Sequence, residues 1–420
     1  MSYDPHVQEQ IRQGRSKFIA MAATYFLGAF NDNFFKQAAL LLAVSTAMTQ
    51  LQGTATTLFA LPFILFSAGA GWLADRYSKK HVVIGVKFLE LLAMLVGAWG
   101  VITLHWNGIL AMVFIMALQS TLFGPAINGS IPELYPSSYV TKANAVLKLV
   151  TTLAILMGIA LAGIALDRGI PEDHFYDGRL VVGAGVVVVS LIGVTARCGV
   201  VKRPAQGTQT PFPWLGPWHS ACDLWRLRQD RPLFLAIMGD TFFYFMASLV
   251  VLVINTLGVQ QLGYSSTLTS LLIVALMIGI CGGSFLAARL TRVDRWTHVL
   301  VPSALGLGGG LLVSGLTPFL PGVLQLPVLF AALIVSGCCG GVFIIPQSSF
   351  IQVRPADHER GRVISVSNFG AFSGILFSGQ LFTLLDATMT PSWAMVVCGV
   401  LAVIAGLVFG QLLTKEAWRV

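Results

Sequence analysis

The feature that most constrains this chain is a series of apolar runs, each about 20 residues long, that recur from residue 18 to residue 413. A helix of that length crosses the hydrocarbon core of a bilayer, which is about 30 Å thick. Only 10% of the 420 residues are charged, whereas soluble domains usually carry about 25%. The pattern therefore predicts an all-α integral membrane protein and argues against a soluble enzyme.

The runs predict twelve transmembrane helices, with boundaries uncertain by a few residues. They lie at residues 18–48, 54–74, 82–104, 108–128, 143–166, 180–197, 233–257, 267–288, 298–317, 326–347, 362–384 and 392–413. The longest polar stretch, residues 198–232, follows the sixth run and is rich in proline. We interpret it as a cytoplasmic linker between two six-helix halves, residues 1–197 and 233–420. Its Trp214, Trp218 and Trp225 suit a segment at the membrane surface.

The basic residues predict the orientation, because loops rich in Lys and Arg stay on the cytoplasmic side. If the N-terminus is inside, most of the 26 Lys and Arg residues fall inside, and only Arg168 and Arg179 fall in outer loops. Both termini are then cytoplasmic. The net charge of +8 is accordingly a topology signal, and we expect no nucleic-acid partner.

The two halves show an internal repeat at an offset of about 211 residues, which pairs Gly28 with Gly239. The loop that begins at residue 73 similarly matches the one that begins at residue 286, and both are short and basic. Parallel repeats of this kind predict two pseudo-symmetric bundles with a substrate path between them near the bilayer midplane.

Charged residues within the spans are the candidate site residues, because they are costly in a bilayer and usually functional. Asp32 stands between Asn31 and Asn33 in the first span, and Lys36 follows one helical turn later. Asp32 and Lys36 either bind a headgroup or an ion, or simply neutralise each other on one helix face.

Further polar residues within the spans join this candidate site. Asp240 holds nearly the place of Asp32 in the second half and is either a proton or sodium site or a carboxylate hydrated at the cytoplasmic mouth. Lys87 and Glu90 have the spacing of an ion pair, which we expect to be structural. The other candidate cavity residues are Gln119, Asn144 and Lys148.

The loop after the second span reads GWLADRYSKK, residues 71–80, and resembles the loop signature of the major facilitator superfamily. A glycine permits a tight helix approach, and a carboxylate among cations can form ion pairs in one conformation only. The expected conformational-switch residues are Gly71, Asp75, Arg76, Lys79 and Lys80. The alternative is a basic loop that only sets topology.

Enzyme signatures are missing from the sequence. It contains no GxxxxGK[ST] phosphate loop, no Ser-centred nucleophile elbow, and no Asp five positions after any of its seven histidines. The six cysteines form no CxxC pair. We therefore expect a protein that is not an enzyme and that needs no cofactor or metal.

Four stretches together resemble the bacterial lysophospholipid transporter family, including members fused to a phospholipid acyltransferase. They are FLGAFNDNFFKQ at 26–37, the loop at 71–80, FGPAINGSIPEL at 123–134 and KAN at 142–144. The second half contributes weaker matches, GGVFIIP at 340–346 and RGR at 360–362.

This resemblance implies movement of lysophospholipid from the outer to the inner leaflet of the bacterial inner membrane, for re-acylation by a cytoplasmic acyltransferase. The chain departs from the family at residues 125–128, where PAIN replaces PxKY, so a basic residue that can meet the phosphate is missing there. Lys36, Lys87 or Lys148 can take its place.

We expect two halves that rock around a central site, with Asp32 and Lys36 near a zwitterionic headgroup and the acyl chain toward lipid. An amphiphile suits the low polarity better than a sugar does. One alternative is a proton-coupled exporter of drugs or other small amphiphiles, with Asp32 or Asp240 as the protonation site. Another is a non-transporting membrane scaffold or receptor for an acyltransferase.

Overall fold

The structure is a computed structural model that describes residues 5–77, 79–128, 135, 137–168, 174–196, 211–291, 297–356 and 359–414. These residues form α-helices and short connections. The helices of the first half are α1 (Pro5–Ser45), α2 (Gln50–Arg76), α3 (Lys79–Thr103), α4 (Trp106–Asn128), α5 (Ser137–Leu166) and α6 (His174–Ala196). A short helix, α7 (Gly216–Arg226), lies in the predicted linker.

The second half contains α8 (Arg231–Thr256), α9 (Ser266–Leu290), α10 (Leu300–Leu316), α11 (Gly322–Val353), α12 (Arg360–Thr388) and α13 (Pro391–Thr414). A helix therefore lies at each predicted span, although α1 begins at Pro5, well before residue 18. Ten of the described helices are long and apolar enough to cross a membrane. Helix α1 is not among them, and the apolar part of α6, Gly178–Gly193, is shorter. The number of spans stays a prediction.

Local chemistry explains several helix ends. After α1, Ala47 takes a positive φ of 58°, and the amides of Ala47 and Met48 donate back to the carbonyls of Val44 and Ala43. The same pair of bonds closes α3 around Leu104, whose φ is 53°. This is the Schellman arrangement, which satisfies carbonyls that a helix end leaves free.

Two starts of helices in the second half carry the expected caps. The side chain of Asp230 accepts from the amide of Leu233 at the start of α8, and Ser265 does the same for Leu268 at the start of α9. Short polar side chains at this position satisfy amides that the first turn leaves free.

The chain divides into two compact units. Unit 1 comprises residues 1–39 and 65–216, and unit 2 comprises residues 40–64 and 217–420. The end of α1 and the start of α2 thus belong with the second-half helices. This division differs from the halves expected from the linker, because residues 40–64 pack mainly in unit 2.

Equivalent helices pack together in each half. The third helix packs on the sixth, as α3 on α6 and α10 on α13, and the third also packs on the fourth. Close crossings depend on glycine. A Cβ on Gly158 of α5 would lie 2.7 Å from the Phe30 carbonyl oxygen of α1, and one on Gly374 of α12 would lie 2.6 Å from that of Thr241 in α8. Small residues permit such approaches where no hydrophobic force drives helices together.

Candidate functional site

The centre of the candidate site in unit 1 is the carboxylate of Asp32, midway along α1. The Ser120 hydroxyl of α4 donates to one carboxylate oxygen at 2.5 Å, and the Gln119 amide nitrogen lies 3.3 Å from both oxygens. Gln119 is buried, and Asp32 is half-buried. The described contacts of Asp32 therefore link α1 to α4, and Lys36 is not among them.

The two asparagines that flank Asp32 are held in different ways. Asn31 is fully buried and donates to the Val186 carbonyl of α6 at 3.1 Å, while its own amide oxygen is buried without a partner. Asn33 donates to the Ala29 carbonyl of its own helix. Asn31 thus fixes α1 against α6, whereas the described hydrogen bond of Asn33 stays within α1.

Lys87 and Glu90 form the ion pair that their spacing predicts. Their side chains are 1% exposed and lie 2.6 Å apart. The Lys87 ammonium also lies 5.0 Å from the centre of the Phe123 ring, and a Cβ on Gly28 would lie 3.3 Å from it. Helices α1, α3 and α4 therefore meet around this ammonium. Both members of the pair lie near enough for their charges to act on Asp32.

We call Asp32, Lys87, Glu90, Gln119 and Ser120 the unit 1 polar cluster. It holds two carboxylates, one ammonium and two neutral hydrogen-bonding groups. Such a cluster can bind a positively charged group. It can also bind a polar group that replaces one of the hydrogen-bond partners within the cluster.

The remaining candidates of unit 1 lie outside the polar cluster. Lys36 is half-buried, one turn beyond Asp32 on the same helix. Asn144 and Lys148 on α5 are exposed. The structure brings Asp32, Lys87, Glu90 and Gln119 together, and it does not bring Asn144 and Lys148 to them.

Asp240 is the centre of a second arrangement, in unit 2. The Ser348 hydroxyl of α11 donates to one carboxylate oxygen at 3.2 Å, and the Ser367 hydroxyl of α12 donates to the other at 3.1 Å. Asp240 is 6% exposed, which argues against a carboxylate hydrated at the cytoplasmic mouth. We call Asp240, Ser348 and Ser367 the unit 2 carboxylate cluster.

The two arrangements are related by the internal repeat. In each half an aspartate on the first helix accepts from the serine of a Gln-Ser dipeptide on the fourth helix, Ser120 on α4 and Ser348 on α11. Gln347 instead donates to the Phe343 carbonyl and abuts Gly239. Sequence reasoning missed Ser120, Ser348 and Ser367. The repeated Gln-Ser dipeptide was the available signal for Ser120 and Ser348, and Ser367 carries no such signal.

The loop at residues 71–80 is described only in part. Gly71 has open space where a Cβ would stand. The exposed Arg76 guanidinium lies 5.0 Å from the centre of the Trp72 ring, a cation–π distance. The side chains of Asp75, Lys79 and Lys80 lie outside the described part of the structure, so their role as a conformational switch stays a prediction.

An apolar cleft of about 380 Å³ opens on unit 1 between α2, α3 and α4. Its lining residues include Leu73, Val82, Val86, Leu89 and Leu122, together with Tyr77, directly after α2, and His81 on α3. The cleft and the unit 1 polar cluster share helices α3 and α4. Among the described residues, no group of three or more His, Cys, Asp or Glu side chains is placed to hold a metal ion.

The sequence of this chain was compared with family models and with known proteins. The Major Facilitator Superfamily model matches residues 18–379. The chain is 27% identical to the lysophospholipid transporter LplT of Klebsiella pneumoniae over 393 residues, 89% of each chain. It is 28% identical to the LplT of an Enterobacter species over 375 residues, 87% of this chain and 88% of the relative.

Solved transporters share the fold. A bacterial homologue of the human lysosomal transporter Spinster, in an inward-facing conformation, aligns over 100% of both chains with a TM-score of 0.68 and 15% identity. A D-xylose–proton symporter aligns over 93% of this chain and 96% of its own, with a TM-score of 0.70 and 15% identity. Because the family model covers most of the chain and the fold agrees, this chain belongs to the Major Facilitator Superfamily and is a multi-pass membrane transport protein.

Proposed function

We propose that this protein moves lysophospholipid from the outer to the inner leaflet of a bacterial inner membrane, by alternating access between its two halves. The observation that carries the proposal is that the unit 1 polar cluster and the apolar cleft share helices α3 and α4. A molecule with one charged end and one long apolar part matches both. The two LplT relatives, each covered over most of its length, support the same substrate class.

The charges of unit 1 suit a zwitterionic headgroup. The Asp32 carboxylate is held by two neutral donors, so an incoming ammonium group adds the positive partner that those donors do not supply. Lys36, half-buried one turn away, is the basic group that we assign to the phosphate. In this arrangement Lys87 and Glu90 neutralise each other and position α3 beside the headgroup.

The acyl chain needs no polar contact and is left toward lipid, where the apolar cleft between α2, α3 and α4 offers a surface for it. Burial of each CH₂ group contributes about 0.8 kcal/mol. The protein therefore has to shield only the headgroup while the substrate crosses. A cytoplasmic acyltransferase that re-acylates the product is the partner expected on the inner side.

The direct test is a leaflet assay with the purified protein in liposomes and labelled lysophosphatidylethanolamine. We expect transfer between leaflets well above the rate in empty vesicles. Ser120→Ala removes one donor to Asp32, and Asp32→Asn removes the charge, so both variants should transfer lipid more slowly. The matched control is Thr121→Val, since the described hydrogen bond of Thr121 goes to the Ala117 carbonyl in its own helix.

The outcomes separate the proposal from its rivals. Lipid transfer by the wild type at the rate of empty vesicles would contradict the proposed lysophospholipid transport. Efflux of cationic dyes in place of lipid would favour the proton-coupled exporter of small amphiphiles, which the carboxylates of both halves leave as the second candidate. Lipid binding without any flux would favour a scaffold for an acyltransferase.

A further inference from the structure

The end of the predicted linker carries a cluster of charges that headgroup recognition in unit 1 does not use. Residues 217–231 and 354–362, all in unit 2, contain six arginines and four acids. The arginines, all exposed, are Arg226, Arg228, Arg231, Arg354, Arg360 and Arg362. They border the starts of α8 and α12 and the end of α11. We call these six side chains the linker arginine patch. It lies at one end of three apolar helices and carries an excess of positive charge.

Ion pairs hold this patch together. The Nε and Nη2 atoms of Arg362 donate to the two carboxylate oxygens of Asp223 at 2.8 and 2.5 Å, which ties α7 to the start of α12. Arg354 donates to Asp230 at 3.2 Å, which ties the residue before α8 to the residue after α11. Both aspartates are therefore engaged in contacts between elements of unit 2.

Arg226 and Arg228 are the members of the patch best placed to meet an external anion. The Arg226 side chain is 72% exposed and lies 3.6 Å from Asp223, whose two oxygens already accept from Arg362. The Arg228 guanidinium lies 4.0 Å from the centre of the Trp225 ring. Stacking on a ring leaves the N–H groups in the plane of the guanidinium able to donate, and that planar fork matches a phosphate group.

The aromatic face of α7 indicates the source of such a phosphate. Trp218 and Trp225 are 66% and 70% exposed, and tryptophan rings favour the headgroup depth of a bilayer. A phospholipid brings its phosphate to that same depth. Free phosphate in solution would account for the arginines and leave the exposed rings unexplained, so a lipid fits the patch better.

We propose that the linker arginine patch binds an anionic phospholipid of the cytoplasmic leaflet, with Arg226 and Arg228 on the headgroup phosphate and Trp225 beside it. The cytoplasmic side follows from the orientation that the basic residues predict. Clusters of four to eight basic residues next to a membrane helix are typical of anionic-lipid sites. A zwitterionic headgroup would also bring an ammonium group, which the arginines repel. This binding is separate from the proposed transport of lysophospholipid and needs no transport substrate.

The test compares an anionic with a zwitterionic lipid on the purified full chain. Phosphatidylcholine vesicles receive, at the same mole fraction, either phosphatidylglycerol or phosphatidylcholine that is brominated close to the headgroup. The signal of Trp225 is the fluorescence that Trp225→Phe removes. We expect brominated phosphatidylglycerol to quench it with an apparent affinity about fivefold or more above that of brominated phosphatidylcholine, since one arginine near an anionic surface contributes about that factor.

Two variants locate the preference. Arg226→Gln/Arg228→Gln removes two charges from exposed side chains, so it should bring the two lipids close to equal affinity. Arg289→Gln is the matched control, because it removes an exposed arginine at the end of α9 and should leave the preference in place. Unchanged melting temperatures check that both variants remain folded.

The wild type supplies a second measurement that needs no variant. Raising NaCl from about 0.1 M to about 1 M shortens the screening length from about 10 Å to about 3 Å, so the preference for phosphatidylglycerol should fall severalfold.

Three results would overturn the site. They are equal quenching by the two lipids in the wild type, a preference that the double variant or high salt leaves intact, and a loss in Arg289→Gln as large as in the double variant. The last result would assign the preference to the basic surface as a whole. None of these results depends on whether the protein transfers lysophospholipid.

Discussion

At the scale of single residues, Lys87 and Glu90 form a buried ion pair in unit 1. Both side chains are 1% exposed, so removal of one partner leaves an uncompensated charge in the interior. Breaking a buried pair in this way costs about 3–5 kcal/mol, whereas replacing both members with apolar residues of similar volume is often neutral or stabilising. This asymmetry separates a structural pair from one that contacts substrate.

We therefore predict that Lys87→Met and Glu90→Leu each lower the thermal unfolding temperature of the detergent-solubilised protein, and that the double variant recovers most of the loss. The check is fluorescence-monitored melting of all three variants beside the wild type. A double variant that is stable but inactive in lipid transfer would place the pair in the substrate path. Additive destabilisation would contradict a simple neutralising role.

The residue scale also shows where sequence reasoning stops. The spacing of Lys87 and Glu90 predicts their contact because both lie on one helix, and periodicity describes a helix face well. The partners of Asp32 lie on α4, nearly ninety positions away in the chain. Which side chain of α4 faces Asp32 depends on the register of two packed helices, and no periodic pattern encodes that register. Ser120 was missed for this reason, although Gln119 beside it was a candidate.

At the scale of helices, close packing in unit 2 depends on particular glycines rather than on glycine content. Gly282 and Gly283 are neighbours on α9. A Cβ on Gly282 would meet nothing within 4 Å, whereas one on Gly283 would lie 1.8 Å from the Cys338 carbonyl oxygen of α11. Two adjacent glycines look alike in the sequence, and the structure shows which of them lies at the helix crossing.

Alanine substitution at these two neighbours is a matched test of that packing. We predict that Gly283→Ala destabilises the protein by about 1–3 kcal/mol or more, since backbone atoms must move apart. Gly282→Ala should leave the unfolding temperature unchanged or slightly raised, because alanine favours the helix. Equal effects of the two substitutions, measured in the same melting assay, would contradict this prediction. They would show that α9 and α11 can move apart to accept a methyl group at little cost in stability.

The short helix α7 has one face toward unit 2 and one aromatic face outward. Leu224 packs against the core of that unit, while Trp218 and Trp225, seven positions apart and hence on one face, are 66% and 70% exposed. The Arg228 guanidinium stacks over Trp225 at 4.0 Å. Tryptophan beside arginine is typical of a helix that lies in the headgroup region of a membrane.

We predict that these two tryptophans contact lipid headgroups. In liposomes made with lipid brominated close to the headgroup, the quenched part of the intrinsic fluorescence should fall in Trp218→Phe/Trp225→Phe. Trp72→Phe is the control, because Trp72 packs edge-on against Phe212. Equal quenching in the double variant and the wild type would place α7 away from the bilayer.

At the scale of the whole molecule, the order of helices and the repeat were predictable from apolar runs of regular length. The grouping of residues 40–64 with unit 2 was not. Those residues are apolar like the rest of α1 and α2, so composition does not show which helices they pack against. Their contacts in unit 2 are specific. Gln52 accepts from the Asn255 amide of α8 at 3.1 Å, Thr57 accepts from Gln380 of α12 at 2.8 Å, and Thr49 donates to Asp386.

If the N-terminus is inside, as the basic residues predict, these contacts lie toward the outer surface. Under the alternating access that we propose, they separate when substrate enters from that side. Glycines make the contact tight, because a Cβ on Gly379 would lie 2.5 Å from the Gly53 carbonyl oxygen. The contacts between neutral groups each contribute about 0.5–1.5 kcal/mol, and the hydrogen bond from Thr49 to the Asp386 carboxylate contributes about 1.5–3 kcal/mol. They are therefore weak enough to break within a transport cycle.

A disulfide across this contact tests whether its separation is obligatory. In a background without the six native cysteines, Thr49→Cys/Asp386→Cys places two thiols where a hydroxyl now bonds to a carboxylate. We predict that oxidation cross-links the pair, stops lipid transfer in liposomes, and that a reductant restores it. Each single cysteine variant controls for loss of the native hydrogen bond. If the cross-linked protein transfers lipid at the reduced rate or faster, the outer ends of α1 and α12 need not part, and alternating access at this contact is wrong.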